Sequence, residues 1–251
     1  MFNLNSKKVL ITGGSRGIGA ACVKYFCMAG ASVAFTYNLN NTLAARLEKR
    51  FSKISKCKAY KVDVNKEDEI KKTVEGVLKD FGRIDILVNN AGIWKEAKIS
   101  KLKLSAWEET LKTNLTSTYL FTKYVSHFMK LKRYGKIINV SSTAGQRGEA
   151  HYSHYAASKG GMISFTKSLA SELGPYNINV NSVAPGWVLT DMSNSVLSNK
   201  KSLDEEIKKI PIGRIATADD IAGPIMFLAS DLSRHINGEI LNVNGGSVLA
   251  G

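Results

Sequence analysis

Short apolar runs alternate with longer amphipathic stretches along the whole chain. The runs are Lys8–Thr12 (KVLIT), Ser32–Thr36 (SVAFT), Lys58–Val62 (KAYKV), Ile84–Val88 (IDILV), Lys136–Val140 (KIINV), Ile178–Val183 (INVNSV) and Glu239–Val243 (EILNV). Each has the length and β-branched content of a strand, and most are apolar nearly throughout, which fits a sheet covered on both faces. The stretches between them carry apolar residues three and four apart, the period of a helix with one buried face. Ile70, Val74, Val77, Leu78 and Phe81 form one such series; Leu111, Leu115, Tyr119, Leu120 and Val125 form another. The alternation predicts repeated βαβ units, hence a parallel sheet with helices on both sides. No linker, repeat or low-complexity segment interrupts it, so residues 1–251 read as a single domain. The one excursion is the polar stretch Thr190–Pro211, long enough for a mobile lid.

Composition narrows the class. A chain of 251 residues, 44% hydrophobic, can bury one large α/β core. No apolar run approaches the ~18–20 residues of a membrane-spanning helix. The opening MFNLNSKKVLITGG has no secretory apolar region, so the expectation is a soluble, cytoplasmic protein. Cys22, Cys27 and Cys57 are odd in number and fit no CxxC spacing, which predicts buried reduced thiols. Four scattered histidines lack partners at ligand spacing, so no metal is expected. Lys and Arg total 35 against 21 Asp and Glu, a net charge of +14. The lysines are spread over polar positions with no arginine-rich arm or aromatic RNA-binding motif, so neither nucleic acid nor membrane is an expected partner. The first reading is a solvated lysine-rich surface; the functional one is an anionic substrate or an acidic carrier.

The first strand runs into Thr12–Gly19, TGGSRGIG, and a helical pattern starts at once with Ala20, Ala21, Val23 and Phe26. Such a turn gathers backbone N–H groups and the positive end of a helix at one point, and glycines let a phosphate approach. The spacing of Gly13, Gly17 and Gly19 is G-x3-G-x-G rather than G-x-G-x-x-G. Its position between strand and helix predicts a dinucleotide site. The second strand ends VAFTYNLNN without the acid that holds the ribose 2′-hydroxyl in NAD-selective sites. Arg16 in the loop supplies a cation for a 2′-phosphate, so NADP (as NADPH) is expected over NAD. Tyr37 and Asn38 are placed to bound the adenine ribose.

The segment His151–Gly161, HYSHYAASKGG, concentrates acid–base groups. On a helix Tyr155 and Lys159, four apart, share a face, whereas Tyr152 and Lys159 lie two turns, about 10 Å, apart. Only Tyr155 has the lysine as a neighbour, and a nearby cation lowers a tyrosine pKa from ~10 toward the working range of a general acid. The preceding strand ends in Ser141 and Ser142, past a carboxyl end where doubly wound sheets bind ligands. Asn114 sits in a predicted helix interior, a poor place for asparagine unless its side chain is occupied.

Together TGGSRGIG, Asp63 in VDV, NNAG (Asn89–Gly92), Asn114, Ser142, YAASK and PGWVLTD (Pro185–Asp191) make the chain resemble the short-chain dehydrogenase/reductase family over nearly its whole length. The resemblance implies a three-layer, doubly wound Rossmann-like fold with a seven-stranded parallel sheet. It also implies hydride transfer between NAD(P) and a carbonyl or alcohol. Carried over, Tyr155 protonates the carbonyl oxygen and Ser142 hydrogen-bonds the same oxygen. Lys159 lowers the Tyr155 pKa and binds the nicotinamide ribose, and Asn114 holds a proton-relay water. Gly13, Ser15, Arg16 and Ile18, with Gly17 and Gly19, line the phosphates. Asp63 and Val64 meet the adenine. Asn90 faces the ribose, and Val188 and Thr190 meet the carboxamide, with Ala91, Gly92, Pro185 and Gly186 beside them.

Within the family the TGGSRGIG loop, PGWVLTDM and the VNGGSVL ending are most similar to the 3-oxoacyl-(acyl-carrier-protein) reductases. That likeness implies NADPH-dependent reduction of a β-keto acyl thioester in fatty-acid synthesis, an acidic acyl carrier protein as partner, and a homotetramer. Arg133 matches a carrier-docking position; a second such position is Tyr176 here. Acetoacetyl-CoA reductases and alcohol, sugar or steroid dehydrogenases share the same four catalytic residues. A non-catalytic cofactor-binding protein is the alternative from another class. Substrate walls are expected at 93–98, 145–153 and 190–211, with His151 and His154 facing solvent or the substrate.

Overall fold

Residues 3–250 are described by a computed structural model. Its elements alternate as the pattern requires: β1 (Lys8–Ile11), α1 (Gly17–Met28), β2 (Ser32–Tyr37), α2 (Asn41–Phe51), β3 (Cys57–Lys61), α3 (Glu67–Phe81), β4 (Ile86–Asn89), α4 (Leu104–Leu111), α5 (Ser117–Lys132), β5 (Gly135–Val140), α6 (Thr143–Arg147), α7 (Ser153–Leu173), β6 (Ile178–Pro185), α8 (Asn194–Leu197), α9 (Lys200–Lys208), α10 (Ala218–Ala229) and β7 (Ile240–Val243). The seven strands form one parallel sheet in the order β3-β2-β1-β4-β5-β6-β7. This is the doubly wound, Rossmann-like arrangement expected.

Strand side chains alternate between two cores. Val9 and Ile11 of β1 face one way, with Val33, Phe35, Ile86, Val88 and Ile138, under α1, α2 and α10. Leu10 points the other way, with Ala34, Leu87, Ile137 and Val180, under α3, α5 and α7. The order reverses at β1, which pairs with β2 on one side and β4 on the other. Chain leaving β1 and β4 therefore diverges to opposite faces and opens a crevice above their carboxyl ends.

Two elements differ from the sequence pattern. The helix expected through Leu111–Val125 is interrupted by a π-helical turn, Lys112–Thr116. The stretch expected as a polar lid is folded into α8 and α9, over a small third core of Leu197, Ile210 and Ile215. Cys22, Cys27 and Cys57 are free and buried, as expected. No helix among the described residues is long and apolar enough to cross a membrane.

Candidate active site

The crevice has a volume of about 1040 Å³, enough for a dinucleotide beside a small substrate. It runs from the glycine loop, past Ser142, Tyr155 and Lys159, to an aromatic end at Trp94 and Trp187.

At the glycine end, Gly13 and Gly17 have φ of +66° and +53°, which an L side chain rarely adopts. A Cβ on Gly19 would strike the Gly13 carbonyl, and one on Gly14 would strike Phe35. The first helical hydrogen bond of α1 is Ala20 N–H to the Arg16 carbonyl, and the Arg16 side chain makes no cap. The amides of Gly17, Ile18 and Gly19 thus end an uncapped helix N-terminus at the crevice, a setting suited to phosphate. Asn90 fixes the loop by donating its amide to the Thr12 and Gly13 carbonyls, both at 3.0 Å. These residues fit a pyrophosphate. At the carboxyl ends of β2 and β3 the crevice is lined by Thr36, Tyr37, Asn38, Leu39, Asn40, Val62, Val64 and Asn65, with no carboxylate among them. Arg16 lies there too, half-paired with Asp191 at 3.4 Å.

Asp63 does not line the crevice. Its carboxylate accepts the backbone N–H (3.0 Å) and side-chain amide (3.1 Å) of Asn65, an Asx turn that places Val64 and Asn65 at the surface of the cleft instead. Gly19 is likewise behind the cleft wall, in a packing role, and Arg133 lies outside the cleft altogether.

Ser141 and Ser142 differ sharply. Ser141 is buried in the sheet, donating to the Val183 carbonyl at 3.0 Å. Ser142 caps α6 by accepting the Ala144 N–H at 3.1 Å, and its O–H is left to donate toward Tyr155 in the cleft. Tyr155 faces it from the first turn of α7. Lys159, one turn on, is buried and donates its Nζ to the Val140 carbonyl at 2.7 Å.

The expected depression of Tyr155 by Lys159 is not found. Burial pushes the Tyr155 phenol up to about 12; the Ser142 hydroxyl works against this and the Glu149 carboxylate adds to it. The Lys159 ammonium stands 5.8 Å from the ring centre, and burial brings its own pKa down to about 8. The desolvation that isolates the pair outweighs the attraction between them.

Asn114 lies on the π turn, outside the cleft surface and fully buried. Its Oδ1 accepts the Ile93 N–H at 2.8 Å. Its amide donates to the Ile93 carbonyl at 3.0 Å and to Ser158 Oγ at 3.1 Å. Ser158 donates in turn to the Tyr155 carbonyl at 2.7 Å. The side chain is therefore spent on clamping the loop after β4 to the helix of Tyr155. Only its backbone carbonyl, which also accepts Thr118 Oγ1 at 2.9 Å, is left to hold a water.

The histidines leave the site. His154 is buried on the inward face of α7, and His151 is exposed at a φ of +68°. The crevice is lined instead by Trp94, Arg147, Glu149, Glu206 and Lys209, all within the stretches expected as substrate walls though not named there, and by Trp187 of the PGWVLTD motif.

The chain matches the family model described as Enoyl-(Acyl carrier protein) reductase over residues 13–247. It is 41% identical over 252 residues to the 3-oxoacyl-(acyl-carrier-protein) reductase FabG of Aquifex aeolicus (strain VF5), covering 98% of both chains. Similar coverage, 99% of this chain and 100% of the other, holds at 37% identity for the enzyme of that name from Thermotoga maritima. Among solved structures it superposes on gox2181 with a TM-score of 0.93 at 29% identity, covering 98% and 96%. It superposes on a candidate gluconate dehydrogenase from Agrobacterium tumefaciens with a TM-score of 0.94 at 31% identity, covering 99% of both.

Proposed function

Because the chain belongs to the short-chain dehydrogenase/reductase family, we propose that it is an oxidoreductase that reduces 3-oxoacyl thioesters to 3-hydroxyacyl thioesters in fatty-acid synthesis, with NADPH as cofactor. The observation that carries the reading is the convergence of Ser142, Tyr155 and Lys159 on one wall of a crevice that begins at an uncapped helix N-terminus. The bound nicotinamide dinucleotide supplies the hydride. The protein supplies the rest. Tyr155 stays protonated through the neutral range and gives its proton to the carbonyl oxygen as charge develops there. The Ser142 O–H, which faces Tyr155, donates to the same oxygen, a preplaced donor at the point of growing charge. Lys159, protonated below about pH 8, is the cation under the Tyr155 ring. Asn114 is the positioning residue that holds Tyr155 against the loop after β4.

Preference for NADPH is supported by Arg16 and by the absence of carboxylates from the cleft lining at the end of β2. The carrier-protein substrate is supported by the relatives' names and by the basic face around Arg133, exposed at the end of α5. Tyr176 occupies the second docking position, but the Lys130 ammonium lies 5.1 Å above its ring, so a cation is present there. A homotetramer is supported by α5, which leaves Tyr119, Phe128 and Leu131 exposed. The deciding experiment is a steady-state panel: NADPH against NADH, with acyl-carrier, CoA, sugar and steroid carbonyls. Highest kcat/KM for a 3-oxoacyl thioester with NADPH is expected. Tight NADPH binding with no turnover of any carbonyl would mark a cofactor-binding protein instead.

A further inference from the structure

The far end of the cleft holds a cluster that the acid–base groups do not use. Trp94 follows β4, Tyr152 precedes α7 and Trp187 follows β6, yet the three rings meet. Trp94 lies flat on Tyr152, centroids 4.2 Å apart and planes 3° from parallel. It meets Trp187 edge to face at 5.7 Å and 87°. Both indole N–H groups are held by carboxylates: Trp94 donates to Glu149 at 3.3 Å and Trp187 to Glu206 at 2.7 Å. The stack and these bonds fix the rings in one rotation. Trp94 follows β4 and Trp187 follows β6, and both line the same cleft as Ser142 and Tyr155, so their contact joins two separate segments of its wall.

We propose that the Trp94–Tyr152–Trp187 wall sets acyl length: it stops the tail of a 3-oxoacyl thioester a few carbons past the reacting carbonyl and makes short chains the preferred substrates. The inference rests on the thioester-reductase reading. With the carbonyl oxygen on Ser142 and Tyr155, two arms leave the reacting carbon. The thioester arm is tethered to a carrier and runs out to solvent. The acyl tail is the arm that stays inside and reaches the rings. A methylene accepted or refused by an apolar pocket changes kcat/KM by about 10–200-fold, so a fixed wall discriminates steeply.

The test compares wild type, Trp94→Ala, Trp94→Leu and Trp94→Phe with NADPH and CoA-linked 3-oxo thioesters of four and ten carbons. Trp94 is on a loop outside all three hydrophobic cores, so its truncation leaves the packing of the fold in place. Wild type is expected to favour the four-carbon substrate. The ratio of kcat/KM for ten over four carbons should rise at least about tenfold in Trp94→Ala and Trp94→Leu. Trp94→Phe should keep the wild-type ratio. A general folding defect lowers both substrates together, so an unchanged ratio overturns the inference, as does a wild-type preference for ten carbons. Wild-type turnover with an unresponsive ratio removes the inference alone; wild-type inactivity on both thioesters removes the reading beneath it as well.

Discussion

The hydroxyl proposed to give up a proton at neutral pH sits in surroundings that hold the proton on. Burial and Glu149 keep Tyr155 at about 12, so the resting enzyme is stocked with the acid form that reduction needs. Tyr155→Phe removes the donor but none of the contacts at the glycine loop. It is expected to lower kcat by about 10²–10⁴-fold while leaving the NADPH dissociation constant nearly unchanged, read by single-turnover absorbance and fluorescence titration. Lys159 gives a pH signature in stability. Its pKa falls from 10.5 unfolded to about 8 folded. Below pH 8 both states carry the proton and the full cost of burying a cation is present. From 8 to 10.5 only the unfolded state keeps it, so stability rises with pH, by about 3 kcal/mol in all. Lys159→Met lacks this titration, and its advantage over wild type in denaturant melts of the cofactor-free protein should shrink by that amount across the window. At this scale the sequence was legible where spacing decides: four residues put Tyr155 and Lys159 on one face. It was opaque where a local bond turns a side chain away, as Asn65 does to Asp63, or where distant segments meet, as Trp94 and Tyr152 do.

The strands were readable because β-branched runs buried on both faces have no competing reading. The break between α4 and α5 was not, since the apolar spacing passes through a π turn almost unchanged while the backbone widens by one residue. That turn is what delivers Asn114 to Ile93 and Ser158. The helices of residues 194–208 were hidden for another reason: α8 is a single turn, α9 is highly charged, and together they cover a core of a few side chains only. Their attachment is correspondingly local. Glu206 accepts the Trp187 indole and the Lys209 ammonium, each at 2.7 Å. The part-buried bond to Trp187 contributes about 1.5–3 kcal/mol, and the solvent-exposed pair with Lys209 under about 1 kcal/mol. Glu206→Ala should therefore speed tryptic cleavage within Lys200–Lys209 by about 10–100-fold, with little change in Tm, since local opening and global unfolding have separate costs. Limited proteolysis beside a thermal melt checks both.

Across the whole molecule the charge of +14 finds a use if the substrate arrives on an acidic protein. Arg133 stands in the left-handed region at φ +48°, donating to the Pro175 carbonyl at 2.9 Å, so the end of α5 is held against the turn before β6. Arg133→Glu is expected to lower kcat/KM for a carrier-borne substrate by of order tenfold, and rising salt should do the same to wild type, while a small thioester is little affected by either. Initial rates across ionic strength decide this. The strand order has a consequence of another kind, for how the chain assembles as it is made. β1 lies inside the sheet, β2 and β3 extend one edge from it, and β4 to β7 extend the other in the order they emerge. Each new strand docks on an edge that is already there, and none has to be threaded between two that have paired. The nascent chain can thus consolidate its glycine-loop half once Asn90, which holds that loop, has emerged. The groups proposed to perform the chemistry, all from Asn114 onward, are then laid onto a finished template, so on this reading a growing polypeptide completes its dinucleotide crevice wall well before it is able to use it.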